Sequence, residues 1–125
     1  MLKLRSMIDL ALTANADSHK VSCAAYDKRG RLIVATINDP NKSHPLMAKY
    51  AKQCGEPERI NLHAEARAVT LADKDIHTLH VVRVGPKGIP KPSLPCHICR
   101  SIIQDTGIKE VVYLDNELNW DTWRL

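Results

Sequence analysis

Residues 79–113 read LHVVRVGPKGIPKPSLPCHICRSIIQDTGIKEVVY, and the order of patterns within them decides the fold. Leu79 to Val84 is a short run of branched and apolar residues, which predicts a strand. Gly85 to Pro95 follows with two glycines and four prolines, Pro86, Pro90, Pro92 and Pro95, and predicts a stiff loop without regular structure. Cys96 to Thr106 returns to helical spacing through Ile98, Ile102 and Ile103. That helix stops at Gly107 in the C′ position and hands over to a strand at Glu110 to Tyr113.

Working outward, Val21 to Tyr26 and Leu32 to Ile37 predict two strands joined by a Gly-containing turn, a β-hairpin. Leu2 to Ala14 carries Leu4, Met7, Ile8, Ala11 and Leu12 at spacings of three and four, one face of an amphipathic helix. Asn38 to Glu58 holds Pro40, Pro45 and Pro57 and predicts a long loop with a short helix around Leu46 to Gln53. Ile60 to Asp73 predicts a further helix. The tail from Asn116 carries Trp120 and Trp123, which favour an interface or the core over base stacking. The second, third and fourth strands are thus separated by helices, which predicts parallel pairs in an α/β sandwich.

The chain has 125 residues, 44% of them apolar and 26% charged, which argues for a single domain over residues 1–125 with one core and excludes a multidomain enzyme. Phe is absent and aromatics make up 4%, so Leu, Ile, Val and Ala must fill the core. No apolar run approaches the roughly 20 residues that a membrane span needs. Lys3 and Arg5 precede a short apolar stretch, but no h-region and cleavage site follow, so no export signal is read and a cytoplasmic location without a membrane partner is expected. The net charge is +4, with the excess in residues 1–52, a bias that suits an anionic partner but also an ordinary soluble surface.

Two segments carry chemistry: His63-Ala64-Glu65 and Pro95-Cys96-His97-Ile98-Cys99. Both sit at predicted helix starts. Cys96 and Cys99 are three apart in a first helical turn, so their sulfurs share a face and close on one ion at about 2.3 Å, with a His63 nitrogen at about 2.0 Å. Three protein ligands leave one position for water, the mark of a catalytic rather than a structural zinc. The positive helix N-terminus favours the thiolates that ligation requires, and Pro95 suits a helix entry because it has no N–H to satisfy. Glu65 lies close to the metal without being needed as a ligand, which fits proton transfer.

This motif pair resembles the zinc-dependent cytidine/deoxycytidylate deaminase superfamily, over about Val21 to Tyr113. The resemblance implies a three-layer α/β/α sandwich of the cytidine deaminase type, with a mixed sheet of about four to five strands. It implies one Zn2+ per chain on His63, Cys96 and Cys99, with Glu65 as catalytic proton shuttle. It also implies substrate contacts at Ala64 and through the backbone near Pro95, and at Asn38, where many members hold the sugar. The expected activity is hydrolysis of a cytosine nucleoside or nucleotide, deoxycytidylate-like, to the uracil form with release of ammonia, a step of pyrimidine metabolism performed by a homo-oligomer. Arg67 stands where free deoxycytidylate deaminases typically carry Asn, and members acting on nucleic acid sometimes carry Arg. Cytosine in single-stranded DNA or RNA is therefore the alternative substrate, and a noncatalytic zinc-binding module with Glu65 as a surface carboxylate is a third reading.

Other residues weigh less. His44, beside Lys42 and Pro45, is a candidate for binding a phosphate or base, against an ordinary solvated side chain. Lys87 and Lys91 are candidates for phosphate contact from the stiff loop, against simple solubility. Cys23 reads as a packed small hydrophobe, Cys54 is unassigned, and His97 should point away from an ion held by its neighbours. His19, His77 and His80 read as ordinary.

Overall fold

A computed structural model describes residues 1–16 and 19–125. Its elements in chain order are α1 (Leu4–Ala11), β1 (Lys20–Tyr26), β2 (Leu32–Ile37), β3 (Asp39–Ser43), α2 (Pro45–Gln53) and β4 (Asn61–Leu62). They continue with α3 (Ala64–Leu71), β5 (Thr78–Val84), β6 (Pro90–Lys91), α4 (His97–Thr106), β7 (Glu110–Leu114) and β8 (Trp120–Arg124). A six-stranded mixed sheet runs β2-β1-β5-β7-β8, with β6 paired to β5, and β3 and β4 form a separate two-stranded sheet. Among the described residues no helix is long and apolar enough to cross a membrane.

The layers follow from alternation along the central strands. Cys23 and Ala25 of β1, with Leu79 and Val81 of β5, face α3 and α4 and pack with Ala64, Ala68 and Ile103. Their neighbours Ala24, Tyr26, Val82 and Val84 face the other way onto Met7 and Ala11 of α1. Ile98 and Ile102 of α4 turn outward to a second cluster with Met47, Tyr50 and Ala51 of α2. Helices thus cover both faces, as a three-layer sandwich requires.

Several expectations are corrected. Only β5 and β7 are parallel; β1 lies antiparallel between β2 and β5, so the crossover through α2 and α3 passes over β1 instead of joining neighbours. The sheet has six strands where four to five were expected. One addition is β6: the loop after β5 turns at Gly88 (φ 79°), with the Gly85 N–H donating to the Ile89 carbonyl, and brings Pro90 and Lys91 back against Val84 and Arg83. Proline is tolerated there because β6 is an edge. The other addition is β8, returned by a turn in which Asp115 Oδ1 accepts from the Glu117 and Asn119 amides. Residues 39–43 within the expected loop pair as β3 with β4, and that pairing holds Asn61–Leu62 extended, so the expected Ile60–Asp73 helix begins at Ala64. Helix α1 is shorter at both ends than the Leu2 to Ala14 pattern.

Two buried hydroxyls fix the motif-bearing segments to the sheet. Thr36 Oγ1 on β2 donates to the Ala64 carbonyl at 2.7 Å, holding the start of α3. Ser93 Oγ donates to the Val81 carbonyl at 2.7 Å and accepts from the Leu114 amide at 2.8 Å, while the Ser93 N–H donates to the Leu114 carbonyl at 2.9 Å. The segment entering α4 is thereby clamped between β5 and β7. Replacing Ser93 leaves a buried Leu114 donor without its partner, so Ser93→Ala should lower the unfolding free energy by about 1–3 kcal/mol in a denaturant titration. Ser43→Ala on exposed β3 should stay within about 0.5 kcal/mol.

Candidate metal and catalytic centre

His63 and Cys96 occupy equivalent places: each is the extended residue just before its helix, His63 (φ −79°, ψ 152°) before α3 and Cys96 (φ −63°, ψ 164°) before α4. Cys96 is therefore the cap of α4 and Cys99 lies in its first turn, a one-residue shift from the expected start that keeps both sulfurs on one side. The Nδ1 of His63 lies 3.3 Å from Cys99 Sγ and 3.6 Å from Cys96 Sγ. All three ligand atoms fall within 4.8 Å of one another. With bond lengths of about 2.0 Å to nitrogen and 2.3 Å to sulfur, a tetrahedral zinc sets its ligands about 3.5–3.8 Å apart. The three groups fit that ion, and Nδ1 is the nitrogen that faces it.

The protons present before a metal binds follow the same geometry. The Cys99 thiol hydrogen bond, followed by that of His63, holds the Cys96 thiol down to about 3. Cys99 is pushed up, first by its bond to the Cys96 sulfur and then by burial. The hydrogen bond to Cys96 raises His63 against the effect of its own burial. The two sulfurs thus hold their protons unequally, Cys96 less tightly than Cys99. Glu65, in the first turn of α3, is 6% exposed, and burial raises its carboxyl above the usual range while His63 opposes the shift.

A cavity of about 220 Å3 has His63, Ala64, Glu65 and Cys96 on its inner wall. Its mouth carries His19, Asn38, Arg59 and Arg83. A larger polar hollow of about 530 Å3 adjoins it and shares His19, Asn38 and His63. A larger depression, about 610 Å3 between α4 and the β7–β8 end of the sheet, contains neither Glu65 nor any of the three ligand groups. Chemistry, not volume, marks the site.

Of the residues expected at the site, Asn38 lines the mouth, with Oδ1 accepting from the Val21 amide at 2.9 Å and Nδ2 donating to the His19 carbonyl at 2.9 Å. Pro95 is buried at the entry to α4. His44 sits elsewhere: its Nδ1 accepts from the Leu46 amide and caps α2, and it lines neither hollow at the site. His97 turns outward to Glu56, with Nε2 2.7 Å from the carboxylate. Cys23 is wholly buried, and Cys54 Sγ lies 3.8 Å from Ser101 Oγ.

Sequence reasoning left His19, Arg59 and Arg83 without a role. A signal existed for Arg83 alone: it interrupts an apolar strand on the same face as Leu79 and Val81.

The family profile described as "Cytidine and deoxycytidylate deaminase zinc-binding region" matches residues 3–115. Among solved structures, a mutant cytidine deaminase from Mycobacterium tuberculosis superposes with a TM-score of 0.51 at 18% identity, over 90% of this chain and 84% of that one, a likeness of fold. No curated protein matches the sequence.

Zinc must displace protons from Cys99 and His63, both of which hold them more tightly than the free groups do. Affinity for zinc should therefore rise from about pH 6 to about pH 8, with proton release seen as a buffer-dependent heat in titration calorimetry. An affinity that stays flat across that range contradicts the assignment. Cys99→Ala should purify with little zinc by elemental analysis, because two ligands hold the ion far less well than three.

Proposed function

The chain belongs to the cytidine and deoxycytidylate deaminase family, and from that premise we propose that it hydrolyses the exocyclic amine of a cytosine nucleoside or nucleotide, releasing ammonia and the uracil form. The observation that carries this reading is Glu65, a buried carboxyl on the inner wall of the same cavity as His63 and Cys96. A noncatalytic zinc module has no use for a carboxyl there, and a surface carboxylate would not be 6% exposed.

His63, Cys96 and Cys99 would hold the zinc, which would supply Lewis acidity that lowers the pKa of a bound water toward neutrality. Glu65 then does the proton work. Its carboxylate takes a proton from the water whose oxygen adds to C4 of the base, and returns that proton to ring N3. It takes the remaining proton of the former water and gives it to the amine as the C4–N bond breaks, so ammonia leaves and the carbonyl remains. A raised carboxyl pKa suits this task, because the group must both accept and release a proton near neutral pH.

Ala64, the first residue of α3, has a backbone N–H without an intrahelical acceptor, and this reading assigns it to the ring carbonyl of the base. The chain at Pro95 closes the opposite side of the ring. Asn38 retains a second lone pair on Oδ1 and a second N–H on Nδ2 for a sugar hydroxyl, while its existing bonds tie the mouth to β1.

One observation favours a nucleic-acid substrate: the large hollow beside α4 meets the cavity at Leu94 and is flanked by Arg100, Arg124 and Trp123. Its charge is partly answered, however, since Arg124 lies 4.0 Å from Glu110. A free nucleoside or nucleotide remains the better supported substrate.

Glu65→Gln should keep its zinc and its fold yet lower kcat by about 10²- to 10⁴-fold, followed by ultraviolet absorbance on cytidine, deoxycytidine, their monophosphates and a cytosine oligonucleotide. Turnover within about twofold of the parent removes Glu65 from the mechanism. No ammonia from any of these substrates sinks the deaminase reading.

A further inference from the structure

His97 stands between the two cysteines of the metal site and takes no part in the chemistry assigned to Glu65. Its side chain leaves the first turn of α4 and meets Glu56, with Nε2 2.7 Å from Oε2. The Nη1 of Arg59 donates to the same carboxylate oxygen at 3.4 Å, and Arg59 lines the mouth of the cavity. One acidic side chain thus grips the helix that carries Cys96 and Cys99 together with the segment that runs into His63.

Local structure holds that carboxylate in place. α2 ends at Cys54, and Gly55 follows in the left-handed region, with φ 78°. The Gly55 amide donates to the Lys52 carbonyl at 3.1 Å and the Glu56 amide to the Ala51 carbonyl at 2.8 Å, the paired bonds of a Schellman turn. Glu56 is therefore pinned at its backbone. α2 itself is packed on α4, with Met47, Tyr50 and Ala51 against Ile98 and Ile102. The Tyr50 hydroxyl donates to Asp105 Oδ2 at 2.7 Å near the far end of α4, so α2 runs back along α4 and delivers Glu56 to its start. Beyond Glu56, the Arg59 and Ile60 amides donate to the Glu56 and Glu58 carbonyls at 3.0 and 3.1 Å, and the chain enters β4 and then His63.

Thr36 fastens the start of α3 to β2, and Ser93 fastens the approach to α4 between β5 and β7, but neither ties the two ligand-bearing segments to each other. The Glu56 contact does so directly. Contacts that orient metal ligands from outside tune how firmly the ion is held. We propose that Glu56 is a positioning residue for the metal centre: through His97 it braces the segment leading to His63 against the helix of Cys96 and Cys99, and so slows the loss of bound zinc. The proposal rests on the reading of those three groups as the zinc ligands. The side chains of His97 and Glu56 are 46% and 33% exposed, which makes the brace a modest one. It depends on a hydrogen bond from Nε2–H, which a neutral or a protonated imidazole donates.

The test follows zinc release from the loaded protein into an excess of a chromogenic chelator. Glu56→Ala and His97→Ala should each speed release by about three- to tenfold, and the double variant should be no faster than the faster single one, because all three remove the same contact. Glu56→Gln, whose amide oxygen still accepts from Nε2–H, should stay close to the parent. The thermal midpoint of the metal-free single variants should remain within about 3 °C of the parent, as for a surface pair. Lys28→Ala in the distant β1–β2 turn should change neither quantity. Release at the parental rate in either alanine variant, effects that multiply in the double variant, or a Glu56→Gln variant as fast as Glu56→Ala overturns the proposal. So does a larger fall in the metal-free midpoint, which marks a contact that serves stability alone. Should elemental analysis find no zinc in the parent, the ligand reading falls, and amide exchange in the metal-free chain decides the brace by itself. The Arg59 and Arg100 amides stand on its two sides, bonded to the Glu56 and Cys96 carbonyls. Faster exchange at both in Glu56→Ala supports the brace, and unchanged exchange refutes it.

Discussion

The convergence of two helix N-termini on one point governs this structure. α3 and α4 begin with His63 and Cys96 as their caps, and Cys99 follows one turn into α4, so three soft or borderline ligands from two distant parts of the chain meet within 4.8 Å. Neither helix finds this position alone. Thr36 draws the start of α3 onto β2, and Ser93 fastens the approach to α4 between β5 and β7. A mixed sheet with small residues at Ala24 and Ala25 lets helices close on both faces, and the site inherits the rigidity of that core.

The sequence made some parts of this legible and concealed others for physical reasons. β1, β2, β5 and β7 are apolar enough that periodicity and flanking turns find them, and Gly107, at φ 84°, ends α4 where its freedom in the left-handed region is needed. The grouping of His63 with Cys96 and Cys99 is legible because the motif spacing encodes local geometry. Strand order is not local: nothing in Val21 to Tyr26 states that β1 will run antiparallel to β5. β8 hides because Trp120 and Trp123, three apart, point to opposite faces of a strand. Trp120 reaches the His80 ring on the α1 side and Trp123 the core beneath α4, a pattern with no two-residue period to detect. β6 hides because prolines announce a loop even where an edge pair forms.

The rim residues were hidden for a related reason. Arg83, Lys91, Arg59 and His19 are scattered over the chain and share no motif, so their meeting is a product of topology alone. The same holds for Asn38, whose amide ties the end of β2 to the start of β1 and so shapes the mouth of the cavity. Family motifs record what the reaction needs at the metal. The make-up of the mouth is written in tertiary contacts and is readable only once the strands are in order.

Two unfavourable features of the molecule lie at the wall and mouth of the cavity. A buried carboxyl at Glu65 and two cations in register at Arg83 and Lys91 each oppose folding by themselves. Away from the site the interior is mostly apolar; Ser22 and Thr36 are hydrogen-bonded, while the buried His80 Nε2 has no partner among the described residues. The His63, Cys96 and Cys99 group names its own complement, a zinc ion, and burial of Glu65 favours a bound proton. The chemistry gathered at the two helix starts thus fits the zinc of the family to which the chain belongs.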